Sequence, residues 1–412
     1  LTVSQRSDVR GGSAAIDLST ALAAMKSDIA AATSLPDILW PEGIYSYSTA
    51  VNWNINHLRM FGHGRARLRY TGTDDAFVVD ALSGTQMRSQ YFDGFVIEAP
   101  TTAKNGIRIR NSNGSCYANF NVRGAGATYA GLKVDFAVCT HFLNYTCSAN
   151  DPGDAVSWYS GTAPQYGIYL NSLNNTASDP TSYCLFTNPV VEYPQYGIFL
   201  GYALGSTFIG GTSEGCTGKG MWLSPYAMQN RVFATDFEAN ADHDIFCEGD
   251  GNEFHGVDCG GIPADSQLVE FSANAVRNKI FGGTYGEIEF KAGSEFNLVS
   301  GASYNRNNDG SQILDPNNAN RIRDVYNIGT GVIHNAPPSF TSLTIGASPY
   351  TYSNTSAHDL MVAVGGGTVS GIVIERGSDT AAVSTSGYFR LCPGDEITIT
   401  YSGAPTVKVF SA

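Results

Sequence analysis

The chain is poor in charge and poorer still in positive charge. Asp, Glu, Lys and Arg make up 15% of 412 residues, with 24 Lys and Arg against 37 Asp and Glu, a formal net charge of −13. Without a clustered basic run, such a balance excludes a surface built to neutralise duplex phosphates, so no nucleic-acid partner is expected. Long apolar runs are also missing. None approaches the roughly 20 residues of a membrane-spanning helix, so no membrane insertion is expected. The polar opening from Leu1 to Gly12 carries no signal-peptide core. The eight cysteines form no C-x-x-C pair and lie at no zinc-finger spacing from His, so no metal site or other cofactor is anticipated. They read as buried, reduced thiols acting as small apolar residues, which suits assembly in a reducing cytoplasm. Gly365-Gly366-Gly367 lacks the Lys-Ser/Thr of a phosphate loop and reads as a turn. No Ser-His-Asp arrangement can be assigned from spacing.

What is present points to strands and turns. Gly reaches 46 residues, about 11% against a usual ~7%, while 42% hydrophobic content excludes disorder. One helix is predicted over 14–32, where Leu18, Leu22, Met25 and Ile29 recur at helical spacing, Ser13 can cap the start and Pro36 follows the end. The centre then repeats. A Gly-apolar-x-apolar tetrad starts at Gly106, Gly131, Gly167, Gly197 and Gly220, with degenerate copies at Asp244, Leu268 and Glu287. The intervals are 25, 36, 30, 23, 24, 24 and 19 residues. A second strand lags each tetrad, as at Ser206-Thr207-Phe208, Asn230-Arg231-Val232, Asn252-Glu253-Phe254 and Asn278-Lys279-Ile280.

A repeat this short cannot bury an apolar face alone and must stack on copies of itself. The fold class is therefore all-β: a parallel β-solenoid, or β-helix, with an N-terminal capping helix and a C-terminal antiparallel β-sandwich. The divisions read from the sequence are an N-terminal segment and capping helix over 1–40, a β-helix over 41–303, a linker or stalk over 304–340 and a sandwich over 341–412. The two long intervals locate insertions at 148–165 and 171–182, which in a solenoid project from one side and commonly build a binding wall.

Aligning the lagging strands places Glu192, Glu214 and Glu238 in one column, and Asp236 and Asp258 with Thr212 and Thr284 in a second. Residues i and i+2 of a strand face the same way about 6.6 Å apart, and stacked strands lie about 4.8 Å apart. Glycosidases use two carboxyls about 5–5.5 Å apart for retention, or about 6.5–9.5 Å for inversion, and adjacent-rung pairs fall within reach of either. Like charges stacked this closely raise one pKa, leaving a protonated acid beside an ionised partner. Glu214, Glu238 and Asp236 are thus the candidate catalytic residues, and the opposing reading is a set of solvated surface carboxylates. Candidate substrate-binding residues are Glu192, Asp258, Arg231 and the aromatics Trp158, Tyr159, Tyr196, Trp222 and Tyr226, whose rings suit the CH faces of sugars. Trp222 shares its column with Tyr169 and Phe199, which can equally be a subunit seam. His255 aligns with Phe233 and Phe281 and reads as a core histidine.

The stretch from Ala14 to Ala32, followed by Trp40-Pro41-Glu42-Gly43-Ile44-Tyr45-Ser46 and the repeats to about residue 303, resembles the pectate-lyase-like right-handed β-helix superfamily and, within it, the bacteriophage tailspikes. Of the polygalacturonase residue set only His255-Gly256 is present, and Asp151-Pro152-Gly153-Asp154 is a weak echo of the epimerase box. The resemblance implies a homotrimer in a virion tail, extracellular in action and made in the host cytoplasm, that binds a bacterial surface polysaccharide and cleaves it. It also implies a virion-attachment region that would be missing before Leu1. Hydrolysis by the carboxylate pair is the expected reaction. The alternatives are a polysaccharide lyase using Lys219 or Arg231 against a uronate, and a non-catalytic glycan-binding tail or adhesin protein.

Overall fold

A computed structural model describes residues 3–11, 15–35, 37–81, 86–148, 163–260, 268–304, 313–315, 319–323, 325–327, 332–334, 341–356 and 359–411. They fall into two compact units, one running to about residue 332 and the other comprising 321–323 and 333–412.

The first unit is a parallel β-solenoid whose register follows the repeat. Ile107, Leu132, Ile168, Ile198, Met221, Ile245, Val269, Ile288 and Ile313 are successive partners in one ladder, so every tetrad, including the degenerate copies, stacks on the next. Each central turn has the same plan. A first three-residue strand (such as Thr207–Ile209) bends into a second (Thr212–Glu214), and both belong to one sheet. A third strand (Met221–Leu223) and a two-residue extension (Ala227–Met228) belong to another sheet. The bends use the left-handed conformation: Asn188, Gly210, Ala234 and Gly256 between first and second strands, and Tyr193, Gly215 and Ala239 after the second. Strands of three residues with an inward middle side chain give each turn one buried residue per strand. In the first strand that column is Phe92, Tyr117, Phe142, Phe186, Phe208, Val232, Phe254 and Ile280. All are at most 3% exposed. Burial of a side chain of this size contributes about 1.5–3 kcal/mol, and the rings also stack, with Phe142, Phe186 and Phe208 at centroid spacings of 4.4 and 4.6 Å.

Glycine opens the first five tetrads because nothing larger fits there. A Cβ on Gly106 would come within 2.5 Å of Val122 Cγ1, and one on Gly167 would overlap Val191. From Asn230 onward the residue just before the first strand is an asparagine for a different reason. Asn230, Asn252, Asn278 and Asn297 are at most 1% exposed. Asn252, Asn278 and Asn297 each present their Oδ1 to the backbone N–H and the Nδ2 of the asparagine one turn earlier, Asn320 extends the chain, and Asn230 Oδ1 accepts from the Ser206 backbone N–H at 3.0 Å. Their own Nδ2 groups also donate to backbone carbonyls, such as Asn252 to Ala227 O at 3.0 Å.

Two helices precede the solenoid rather than one. Helix α2 covers Ser19–Ala31, shorter than the predicted 14–32, with Leu22 and Ile29 buried. Ser13 lies outside the described residues. Asp17 organises the helix start, accepting from the Ser19 backbone N–H at 2.8 Å and from its hydroxyl at 2.6 Å. Helix α1, Val3–Gly11, was not anticipated, because Val9, 3% exposed, is the one apolar anchor among its described side chains and leaves no periodic signal. Parallel pairing also runs past 303, into the stretch read as a linker: Ser303 pairs with Tyr326 and Ile288 with Ile313.

The second unit contains two four-stranded antiparallel sheets around Val362, Val364, Ile372, Phe389, Leu391, Ile397, Ile399, Val407 and Val409. It is the β-sandwich that the alternation after residue 341 predicts. All eight cysteines are free thiols, five of them buried, and burial pushes Cys147, Cys184, Cys216 and Cys247 up to about 12.

Replacing one rung of the asparagine chain strands its neighbours' donors and acceptors inside the solenoid. Asn252→Leu is expected to lower unfolding stability by about 1–3 kcal/mol, the cost of leaving buried polar groups unpaired. Urea denaturation checks this, and Asn274→Ala, on an exposed turn, serves as the neutral control.

Candidate active site

The acidic columns form as the alternation requires. Glu192, Glu214 and Glu238 are successive partners, and Thr212, Asp236, Asp258 and Thr284 form the neighbouring column. The middle residues Ser213, Phe237 and Cys259 point inward and are at most 2% exposed. The flanking carboxylates therefore stand on the outer face, half-buried except for exposed Asp258. Three glutamates and two aspartates thus occupy two columns over four turns, one strand spacing apart along each column.

The same column shows what the chain does with charge elsewhere. Over the four turns before Glu192 it reads Arg69, Glu98, Arg123 and Ser148. There charges alternate: Glu98 accepts from Arg67 Nε and Arg69 Nε, both at 2.7 Å. At Glu192 the alternation stops. Among the described residues none of the five carboxylates has a side-chain hydrogen bond or a cationic partner. Burial and then the charges of Glu238, Glu192 and Asp236 push the Glu214 carboxyl upward. Asp236 is raised by burial and then by Asp258 and Glu238. Like charges stacked in adjacent strands oppose folding, so the stack is a cost the rest of the solenoid absorbs.

Two segments of the chain adjoin this stack in sequence. Residues 149–162 follow Ser148, the partner of Glu192, and 261–267 follow Gly260, the partner of Glu238. Both segments lie outside the described residues, and with them the expected sugar platforms Trp158 and Tyr159.

Directly inside the acidic face sits a carboxyl that spacing alone did not reveal. Asp244 occupies the tetrad position that glycine holds in the five preceding tetrads and is 1% exposed. Its Oδ1 accepts from Asn240 Nδ2 at 2.8 Å, while its Oδ2 is buried without a partner. Burial, and then Asp236, Asp258 and Glu238, push it up to about 8. An uncharged carboxyl explains the unpaired oxygen, since an ionised one would be stranded.

The remaining candidates are dispersed. Tyr196 and Trp222 belong to the third strands, on the other sheet, because the bend after each glutamate carries the chain across. There they join a continuous outer column: Tyr169 to Phe199 at 4.9 Å, Phe199 to Trp222 at 4.6 Å and Tyr196 to Trp222 at 5.3 Å. Trp222 Nε1 donates to Glu248 at 2.9 Å. Tyr226 lies beyond the third strand, stacked on Tyr202 at 4.5 Å. Arg231 opens a first strand, paired with Glu253 at 3.5 Å. Lys219, the other cation considered for a lyase, precedes the third strand Met221–Leu223, bound to Asp242 and set over Phe246 at 4.7 Å. His255 is not a core residue. The inward position is Phe254, so His255 stands half-exposed on the outer face between Phe233 and Phe281. A cleft of about 630 Å³ lies elsewhere, between α1, α2 and the segment Ile38–Tyr45. Among the described residues no group of three or more His, Cys, Asp or Glu side chains is arranged to hold a metal ion, and no helix is long and apolar enough to cross a membrane.

With this geometry established, comparison with solved structures identifies the architecture. The chain superposes on ORF18 of Geobacillus virus E2 with a TM-score of 0.57, over 95% of this chain and 74% of that one, at 14% identity. The two chains share the parallel β-helix fold. It is also similar to PfbA, a surface adhesin of Streptococcus pneumoniae, with a TM-score of 0.54, 9% identity and coverage of 77% and 85%. The tailspike of Acinetobacter phage vB_ApiP_P1 aligns over 96% of this chain and 84% of its own at 12% identity and a TM-score of 0.44. Neither the protein-family models nor the curated proteins match the sequence.

The buried acid gives a pH test with a definite sign. A carboxyl held above its unfolded value contributes stability below the unfolded pKa, near 4, and loses it as pH rises through the folded one. The wild type is therefore expected to lose stability relative to Asp244→Asn between pH about 4 and about 8. Denaturation of both proteins across that range checks it, and parallel stability curves would contradict it.

Proposed function

We propose that this chain is a tailspike-type depolymerase that binds a bacterial surface polysaccharide and hydrolyses it at the Glu192–Glu214–Glu238 and Asp236–Asp258 columns. The observation that carries the reading is the break in charge alternation. A column that neutralises Glu98 with arginines then stacks three glutamates without one. An uncompensated stack on an outer face is destabilising for folding and useful for chemistry.

Glu214 is assigned as general acid. It lies between two glutamates, and burial with their charge favours its protonated form. Glu238, one turn on, is the ionised partner, and Asp236, two residues before it on the same strand, is the alternative. Glu214 would protonate the glycosidic oxygen as the bond to the anomeric carbon breaks. The partner would attack that carbon, or remove a proton from the attacking water, depending on the separation in the bound state. Glu192 and Asp258 would bind hydroxyls at the ends of the columns. As pH rises through the raised pKa of Glu214 the acid is lost, so the rate should fall on the alkaline side.

The wider setting belongs to the same proposal: a homotrimer, acting extracellularly as part of a virion tail. The tailspike-like fold supports it, and the Tyr169–Phe199–Trp222 column supplies either a subunit seam or a further sugar track. The second reading is a polysaccharide lyase, favoured by one observation: Arg231 and His255 converge on Glu253, placing a cation beside a base on the outer face.

The deciding assay incubates the protein with purified capsules and O-antigens and follows reducing ends together with absorbance near 232 nm. Hydrolysis gives reducing ends alone, whereas a lyase gives both. Glu214→Gln and Glu238→Gln are each expected to lower turnover by at least about 100-fold while retaining polymer binding. Full activity in both variants would remove the site assignment.

A further inference from the structure

The face of the first strands, next to the acidic columns, carries a feature of the opposite kind. Arg231, Glu253 and Lys279 are successive partners, as are Phe233, His255 and Phe281. Glu253 is shared by three bases, with Lys279 Nζ at 2.8 Å, His255 Nε2 at 3.4 Å and Arg231 Nε at 3.5 Å. The Lys279 interaction leads in holding this carboxyl below its usual range. One carboxylate cannot use the five N–H donors of an arginine and the three of a lysine. Among the described residues neither Arg231 nor Lys279 has another acidic partner. Their side chains remain 52% and 44% exposed. Beside them the three rings form an outward stack, with centroid spacings of 4.6 and 4.9 Å and interplanar angles of 18° and 27°.

We infer that this patch is a subsite for a carboxylate-bearing pyranose, with Arg231 and Lys279 holding the carboxylate and the edge of the Phe233–His255–Phe281 stack meeting the sugar's apolar face. The inference rests on the polysaccharide-binding reading above and adds the class of sugar. A pyranose carrying a carboxylate offers what the patch lacks: an anion for unspent donors and a CH face for half-exposed rings. The acidic columns, by contrast, repel anions. Phe233 and His255 each precede a column aspartate, Asp236 and Asp258, by three residues, so the two surfaces adjoin across one bend. A glycan crossing that bend would place its acidic residue on the first strands and an uncharged residue between the carboxylates. The polymer is then a heteropolysaccharide with acidic and neutral sugars, cut at a neutral one.

The test measures binding by calorimetry with a defined probe, a tetrasaccharide alternating glucuronate and glucose, and with its carboxyl-reduced, neutral counterpart. The intact chain should bind the acidic probe at least tenfold more tightly, with the preference shrinking as salt rises. Arg231→Gln/Lys279→Gln should abolish the preference without changing affinity for the neutral probe, and Phe233→Ala/Phe281→Ala should weaken both. Equal binding of the two probes, binding of neither, or a preference that survives the double Gln variant would overturn the inference. The Glu214→Gln/Glu238→Gln protein separates this from the hydrolase reading. It should keep the preference, and if it also keeps full cleavage then the site assignment falls while the subsite stands.

Discussion

In-register stacking of parallel strands is the constraint from which the rest of this molecule follows. Each side chain lies about one strand spacing from its counterpart one turn away, so the solenoid multiplies whatever residue a position holds. Phenylalanines repeated in this way become a ring column, and asparagines become a chain of shared amides. Carboxylates repeated in this way become a concentration of negative charge. The first two arrangements stabilise the fold and the third opposes it, which is why the glutamate stack calls for an explanation beyond architecture.

The same constraint explains what could be read from the sequence. A period of about two dozen residues, a glycine that admits no Cβ and an inward apolar residue flanked by outward polar ones together determine register. The two acidic columns could therefore be located residue by residue, since Glu214 and Glu238 need only a count and an alternation. The degenerate tetrads at Asp244, Leu268 and Glu287 were legible for the same reason.

What the count could not supply was direction around the turn. Trp222 and Glu214 are eight residues apart, but a left-handed bend at Gly215 sends them to different sheets, and no periodicity encodes that angle. His255 was misplaced because alignment with phenylalanines suggests a core, whereas this column of phenylalanines is the outer one and Phe254 fills the interior. Asp244 was legible as a repeat residue and illegible as a buried acid, because its neutrality depends on the low-dielectric surroundings and on three carboxylates from two other strands. Helix α1 offers a single buried valine, too little for any pattern to detect.

The asparagine chain has a mechanical consequence. Backbone hydrogen bonds between turns lie along the solenoid's long direction, and the side-chain amides of Asn230, Asn252, Asn278 and Asn297 point the same way. Separating two adjacent turns must therefore break the amide link as well as the backbone bonds between them. The asparagines place one such link in the interior, where water cannot compete for it.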